Sequence, residues 1–179
     1  MKPFSVVNDE LVHQGAVVGF YRRQIAGPGG EIYNRDVVKH PGAVAVVAYD
    51  EGDVYLVKQY RAPLDADLIE IPAGKLDVDG EPLEVTANRE LEEEVGRSAR
   101  KLEPLLDLYH SAGFCDELGH LFLATELVEV PQRLEGPEEA HLEVLKVPMS
   151  EAITMVMDGR IRDAKSMVGI LAAARQLGY

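Results

Sequence analysis

The stretch PAGKLDVDGEPLEVTANRELEEEVG, residues 72–96, decides the fold. Leu83, Ala87, Leu91 and Val95 recur every fourth residue, the spacing of one face of an amphipathic helix, and Gly96 supplies a C-terminal stop. The same segment carries Glu90, Glu92, Glu93 and Glu94 with only Arg89 and Arg97 close by, and Glu81 and Glu84 just upstream. On a helix Glu90 and Glu94 share a face with Glu93 beside them, and like charges so placed cost roughly 0.2–0.5 kcal/mol per pair in water. A solvated helix face is one reading. The other is a site for a hard divalent cation, which takes carboxylate oxygens and removes the repulsion. Arg89 can reach Glu93 one turn on and the loop bearing Glu81, so it is expected to orient the carboxylates. The loop AGKLDVDGE has two glycines that allow close backbone approach, and a backbone carbonyl there could join the ligands.

Outward from this helix the pattern turns to strands. AVAVVAY (43–49) and VYLVKQY (54–60) flank DEGD, a hairpin signal between buried strands. ADLIEIPAG (66–74) is expected as one short strand broken by Pro72 and Gly74. From Val6 to Val38 apolar residues partly alternate around a GPGG turn at 27–30, which predicts a small antiparallel sheet. Downstream, 101–110, 117–127 and 142–148 are expected strands and 129–141 a polar loop. Helices are expected over 149–159 and 162–178, with Ser150 and Asp163 as their N-caps. Strands, a helix, strands and then two helices predict an α+β chain whose mixed sheet is sandwiched by helices. Residues 1–40 are expected to form an N-terminal strand region and 41–179 the main domain.

Composition sets limits on partners. The chain has 179 residues and a formal net charge of −13, which disfavours nucleic acid and anionic membranes as main partners. No run approaches the roughly 20 apolar residues of a membrane span, and MKPFSVVNDE lacks the apolar core of a signal peptide. One cysteine, Cys115, permits no intrachain disulfide and suits a reducing cytoplasm. It has no evident base or second thiol beside it to make it a nucleophile. His110, His120 and His141 fit no standard zinc spacing.

Gly74, Glu81, Arg89, Glu90, Leu91, Glu93, Glu94 and Gly96 together resemble the Nudix box. This chain has one residue more than usual between Gly74 and Glu81, and Arg97 stands where the pattern ends in an aliphatic residue. The resemblance implies a Nudix-type α/β/α sandwich that hydrolyses nucleoside diphosphates linked to another moiety. It also implies that Glu90, Glu93 and Glu94, with the carbonyl of Ala73, hold two or three Mg²⁺ ions, for which Mn²⁺ could substitute. Glu81 and Arg89 would then be the loop anchor and the orienting partner.

VKQYRAPLDADLIEIPAGKLD (57–77) resembles the ADP-ribose pyrophosphatase branch of that superfamily. The branch implies Arg61 as a phosphate contact, Ser111 facing substrate, Glu117 near the metals, and Glu138 or Glu139 as the base in a mobile loop. Its usual Ser-Pro-Gly is here Ser111-Ala112-Gly113, which leaves other nucleoside diphosphate sugars, such as ADP-glucose or GDP-mannose, as an alternative. A non-catalytic nucleotide-sugar-binding module is a further alternative, but such a module should have lost a box carboxylate. The N-terminal strands resemble a region that pairs with a second subunit, implying a C2 homodimer with exchanged strands. Arg35 and Asp36 would contact substrate there, with Tyr21 and Arg22 as further contributors from the partner.

Overall fold

The structure, a computed structural model, describes residues 3–134 and 139–179, and for Glu139 the backbone alone. It divides into two compact units, Met1–Gly42 with Tyr109–Leu118, and Ala43–Leu108 with Gly119–Tyr179.

The first unit is a three-stranded antiparallel sheet of β1 (Ser5–Gln14), β2 (Gly19–Ala26) and β3 (Ile32–Lys39), in that order. The turn between β2 and β3 falls on the GPGG sequence, with Gly30 at φ 88°. The turn between β1 and β2 is closed by the Gly15 N–H to the Val18 carbonyl at 2.9 Å. Gly15 and Gly19 bracket this turn, which the apolar alternation around the GPGG turn does not mark. Along β1 neither face is buried, and Val6, Val7, Leu11 and Val12 stand exposed. The segment 109–118 joins β3 through Val38, which bonds Phe114 and Asp116 by its backbone.

The second unit centres on β4 (Ala43–Asp50), whose apolar run reflects burial on both faces. Val44, Val46 and Ala48 pack on one side with Ala87, Leu91 and Val95 of α1 (Leu83–Val95). Ala45 and Val47 pack on the other with α2 (Met149–Met157) and α3 (Ala164–Leu177). Among the described residues the sheet order is β10 (Glu143–Pro148), β5 (Asp53–Arg61), β4, β9 (Leu118–Glu129) and β8 (Arg97–Tyr109). β4 and β9 run parallel, while β5 is antiparallel to β4 and to β10. This is the expected mixed sheet between helices.

The other edge of β4 explains where the site lies. β5 pairs with β4 only over Ala48–Asp50, then leaves it to pair with β6 (Ala66–Glu70). The vacated edge, Ala43–Ala45, is taken by β7 (Ala73–Lys75), and between the two the Val46 N–H donates to the Pro72 carbonyl at 2.9 Å. Residues 66–74 are therefore two strands with different partners, not the single strand expected. Pro72 has no N–H to continue a ladder, so the chain changes partner there. The splay delivers residues 71–75 against α1.

Other differences are local. α2 begins at Met149 after Pro148, and Ser150 lies inside the helix without capping it. Met149 is fully buried and its N–H donates to the Gly52 carbonyl at 2.8 Å, so tertiary contact fixes that helix start. Asp163 does cap α3, accepting from the Ser166 N–H at 3.0 Å. β8 starts at Arg97, four residues earlier than expected, because Asn88 of α1 accepts from the Ala99 N–H at 2.8 Å and draws that segment into line. Among the described residues no helix is long and apolar enough to cross a membrane.

Candidate active site

Helix α1 runs from Leu83 to Val95 and stops at Gly96 in the left-handed region, φ 68°. Glu81 precedes it and accepts from the Thr86 hydroxyl at 2.7 Å. That bond, reinforced by Arg89, holds the Glu81 carboxyl below its ordinary pKa against the opposing effect of burial. The residue extra to the usual box spacing is absorbed by a turn, with the Glu81 N–H on the Val78 carbonyl and Gly80 at φ 76°. The helix register is untouched by it.

Arg89 spans the acidic face. One guanidinium nitrogen, Nη1, lies 2.9 Å from Glu90 and 3.1 Å from Glu93, and Nη2 lies 3.3 Å from Glu81. Glu90 is pressed against β7, where a Cβ on Gly74 would sit 1.9 Å from its carboxyl carbon. Any side chain there would have to displace that carboxyl group. Glu94, on the core side of the helix beside Leu91 and Val95, is 3% exposed and accepts from the Ala73 N–H at 3.0 Å. Glu90 and Glu94 therefore grip β7 at successive residues, and the backbone of Ala73 lies at the carboxylate face.

This donor set suits a divalent cation: hard carboxylate oxygens beside a peptide carbonyl, with a carboxylate held in the core where an uncompensated charge is costly. In the structure the acids do not yet close on a common point, and among the described residues no three acidic, imidazole or thiol groups stand at ion-binding spacing. Arg89 is the cation that bridges Glu81, Glu90 and Glu93 there.

Arg61, at the end of β5, makes a bidentate pair with Glu70 of β6, both bonds 2.7 Å and using Nε and Nη2. Glu70 is buried and also accepts from Lys165, which in turn lies 2.9 Å from Asp163, the cap of α3. Burial pushes the Glu70 carboxyl up, but the Arg61 bonds and the charges of Lys165 and Arg61 outweigh it and hold the pKa at about 2. The Ser166 hydroxyl donates to Asp163 and accepts from the Ile71 N–H at 2.8 Å, tying α3 to the turn before Ala73. The sequence reading missed Glu70, Lys165 and Ser166. The available signals were an acid in an apolar strand and a lysine near the capped start of an amphipathic helix.

The remaining expected residues belong to the first unit or to the undescribed stretch. Arg35 and Asp36 are exposed on β3, Arg35 donating to the Asn34 carbonyl at 2.7 Å. Tyr21 packs its ring under Lys39, 4.1 Å away, and Arg22 makes an exposed pair with Glu10. Ser111 accepts the backbone N–H groups of Phe114 and Cys115 at its carbonyl. Glu117 lies 3.8 Å from His40 and 3.9 Å from His110, whose Nε2 is buried and has no hydrogen-bond partner among the described residues. Glu138 lies outside the described residues, and Glu139 opens a short 3-10 turn through His141. Arg97, the departure from an aliphatic box end, is used by the core: its Nε donates to the Tyr55 hydroxyl at 3.2 Å.

The NUDIX domain matches residues 39–167, which takes in the splayed strands, α1 and the start of α3. The chain belongs to the NUDIX family. It is 44% identical over 167 residues to the ADP-ribose pyrophosphatase of Bacillus subtilis (strain 168), covering 93% of this chain and 90% of that protein. It is 43% identical over 170 residues to the ADP-ribose pyrophosphatase of Mycobacterium tuberculosis (strain ATCC 25618 / H37Rv), covering 94% and 82%. A solved structure described as an ADP compounds hydrolase superposes with a TM-score of 0.84 at 21% identity, covering 99% of this chain and 95% of that one. That likeness is one of fold.

Two outcomes follow for this NUDIX domain. Gly74→Ala should fold, since Gly74 is not in the left-handed region, but must displace Glu90. Mn²⁺ affinity measured by electron paramagnetic resonance is expected to fall by about tenfold or more. Glu70 has a depressed folded pKa, so its contribution is present above the ordinary value of 4.5 and is lost as pH falls through about 2. In urea unfolding, the stability gap between wild type and Glu70→Gln should be on the order of 3 kcal/mol at neutral pH. It should narrow between about pH 4.5 and 2, and a gap constant over that window would contradict the assignment.

Proposed function

We propose that the protein hydrolyses the diphosphate of ADP-ribose to AMP and ribose 5-phosphate in a Mg²⁺-dependent reaction. The observation that carries this reading is the intact carboxylate set on α1, seated on β7 by the Ala73–Glu94 bond and the Gly74–Glu90 contact. The similarity to ADP-ribose pyrophosphatases over more than nine-tenths of the chain supports the choice of substrate. Glu90, Glu93 and Glu94 with the Ala73 carbonyl would hold the metals. Bound divalent ions neutralise the diphosphate and lower the pKa of a coordinated water.

The chain's own groups divide the remaining work. Glu70 occupies Nε and Nη2 of Arg61, so Nη1 takes no part in that pair and serves as the donor to a phosphate oxygen. By the resemblance to the ADP-ribose pyrophosphatase branch, Ser111 would face the substrate, Glu117 would lie near the metals, and Arg35 and Asp36 would contact substrate. Glu138 or Glu139 takes the proton of the attacking water. As the water oxygen bonds to one phosphorus, the bridging P–O bond breaks and the second phosphate leaves with its ribose. Arg89 and Glu81 orient the acidic face throughout.

Assembly as a homodimer through the N-terminal strands fits the exposure of Phe4, Val6, Val7, Leu11 and Val12, a group that a lone three-stranded sheet does not cover. The single Cys115 fits a reducing, cytoplasmic setting. Ala112, in place of the usual proline, favours keeping other nucleoside diphosphate sugars as the second reading.

The test is a substrate screen with Mg²⁺ over ADP-ribose, ADP-glucose and GDP-mannose, read as phosphomonoester released. ADP-ribose is expected to give the highest kcat/KM, and Glu94→Gln to lower it by about 100-fold or more without loss of thermal stability. Preference for another sugar nucleotide would replace the substrate. Full turnover by Glu94→Gln would overturn the site.

A further inference from the structure

The charges behind Arg61 alternate. Arg61 pairs with Glu70, Glu70 with Lys165, and Lys165 with Asp163, so two cations and two anions form one neutral chain. Its two ends differ. The Arg61 side chain is 39% exposed, while Glu70 is 1% and Lys165 9% exposed. The Asp163 end is further compensated, because its carboxylate caps α3 and sits at the positive end of that helix. A bidentate carboxylate alone would cancel the charge of Arg61 and leave little field for an anionic ligand. Sharing that carboxylate with a second, buried cation leaves the exposed end of the chain positive.

We propose that Lys165 is a positioning residue for Arg61: it shares Glu70, so that Glu70 can fix the plane of the guanidinium without neutralising it toward a diphosphate. Lys165 itself does not touch substrate. It acts from the first turn of α3, 95 residues from Glu70 in sequence. This inference rests on Arg61 contacting a substrate phosphate, as proposed above.

A double-mutant cycle separates this role from packing. If Lys165 acts by sharing the Glu70 carboxylate, its removal matters only while that charge is present. Glu70→Gln removes the charge, and its amide oxygen can still accept from Arg61. The experiment measures calorimetric Kd for a methylene-bridged, non-hydrolysable ADP-ribose with Mg²⁺, alongside KM and kcat on ADP-ribose and a melting curve for each variant. Lys165→Met is expected to weaken binding by about tenfold and to raise KM more than it lowers kcat. Lys165→Met added to Glu70→Gln should bind within about threefold of Glu70→Gln alone. A loss of about tenfold in that background as well overturns the proposal, since a packing role would not depend on the Glu70 charge. If Lys165→Met alone does not fold, the double variant decides against Glu70→Gln by the same two outcomes. Wild type that neither binds nor hydrolyses ADP-ribose would instead overturn the functional reading beneath it.

Discussion

The bond from the Ala73 N–H to the buried Glu94 carboxylate is the contact on which the rest of this structure turns. It joins the chain segment that replaces β5 on the edge of β4 to the helix that carries Glu90, Glu93 and Glu94. Glu94 occupies a position that the helix pattern would give to an apolar residue, and Leu91 and Val95 on either side hold it there. A carboxylate in the core costs several kcal/mol unless it is matched by donors and counter-charge. The peptide N–H supplies one donor, and Arg61 contributes favourable charge from the neighbouring strand end. On the proposed function, the stability conceded at this helix position is offset by a fixed carboxylate oxygen for the metal.

Two supports hold that contact from opposite sides of the sheet. From the α1 side, Glu90 fills the space that a side chain at Gly74 would take, and Arg89 fastens Glu90, Glu93 and Glu81 into one array. From the α3 side, Ser166 holds the Ile71 N–H and Lys165 holds Glu70, so the turn 70–73 is fixed at its start by α3 and at Ala73 by Glu94. The splay of β5 from β4 makes room for both. A sheet with β5 paired along its whole length would leave no edge for β7.

How much of this was legible in the sequence depends on the range of the interaction. The span of α1, its stop at Gly96, the DEGD hairpin and the Asp163 cap are all set within a few residues, and each stands where the pattern placed it. Arg89 reaches Glu93 and Glu81 for the same reason: helical spacing and a short loop leave it few other partners. The division of 66–74 into β6 and β7 depends on which edge of β4 is vacant, which no local pattern encodes. The failure of Ser150 as a cap depends on where Met149 is buried, and the Glu70–Lys165 pair joins residues far apart in the chain. Glu138 lies outside the described residues, so the choice between it and Glu139 stays with the resemblance.

The direct measurement is a crystal of the protein grown or soaked with Mn²⁺, read by its anomalous signal. A manganese peak is expected within coordination distance of the Ala73 carbonyl and the Glu90 and Glu94 carboxylates, with Arg89 withdrawn from Glu90. Manganese bound elsewhere, with Arg89 still bridging Glu81, Glu90 and Glu93, would contradict the assignment of this helix as the metal-holding half of the site.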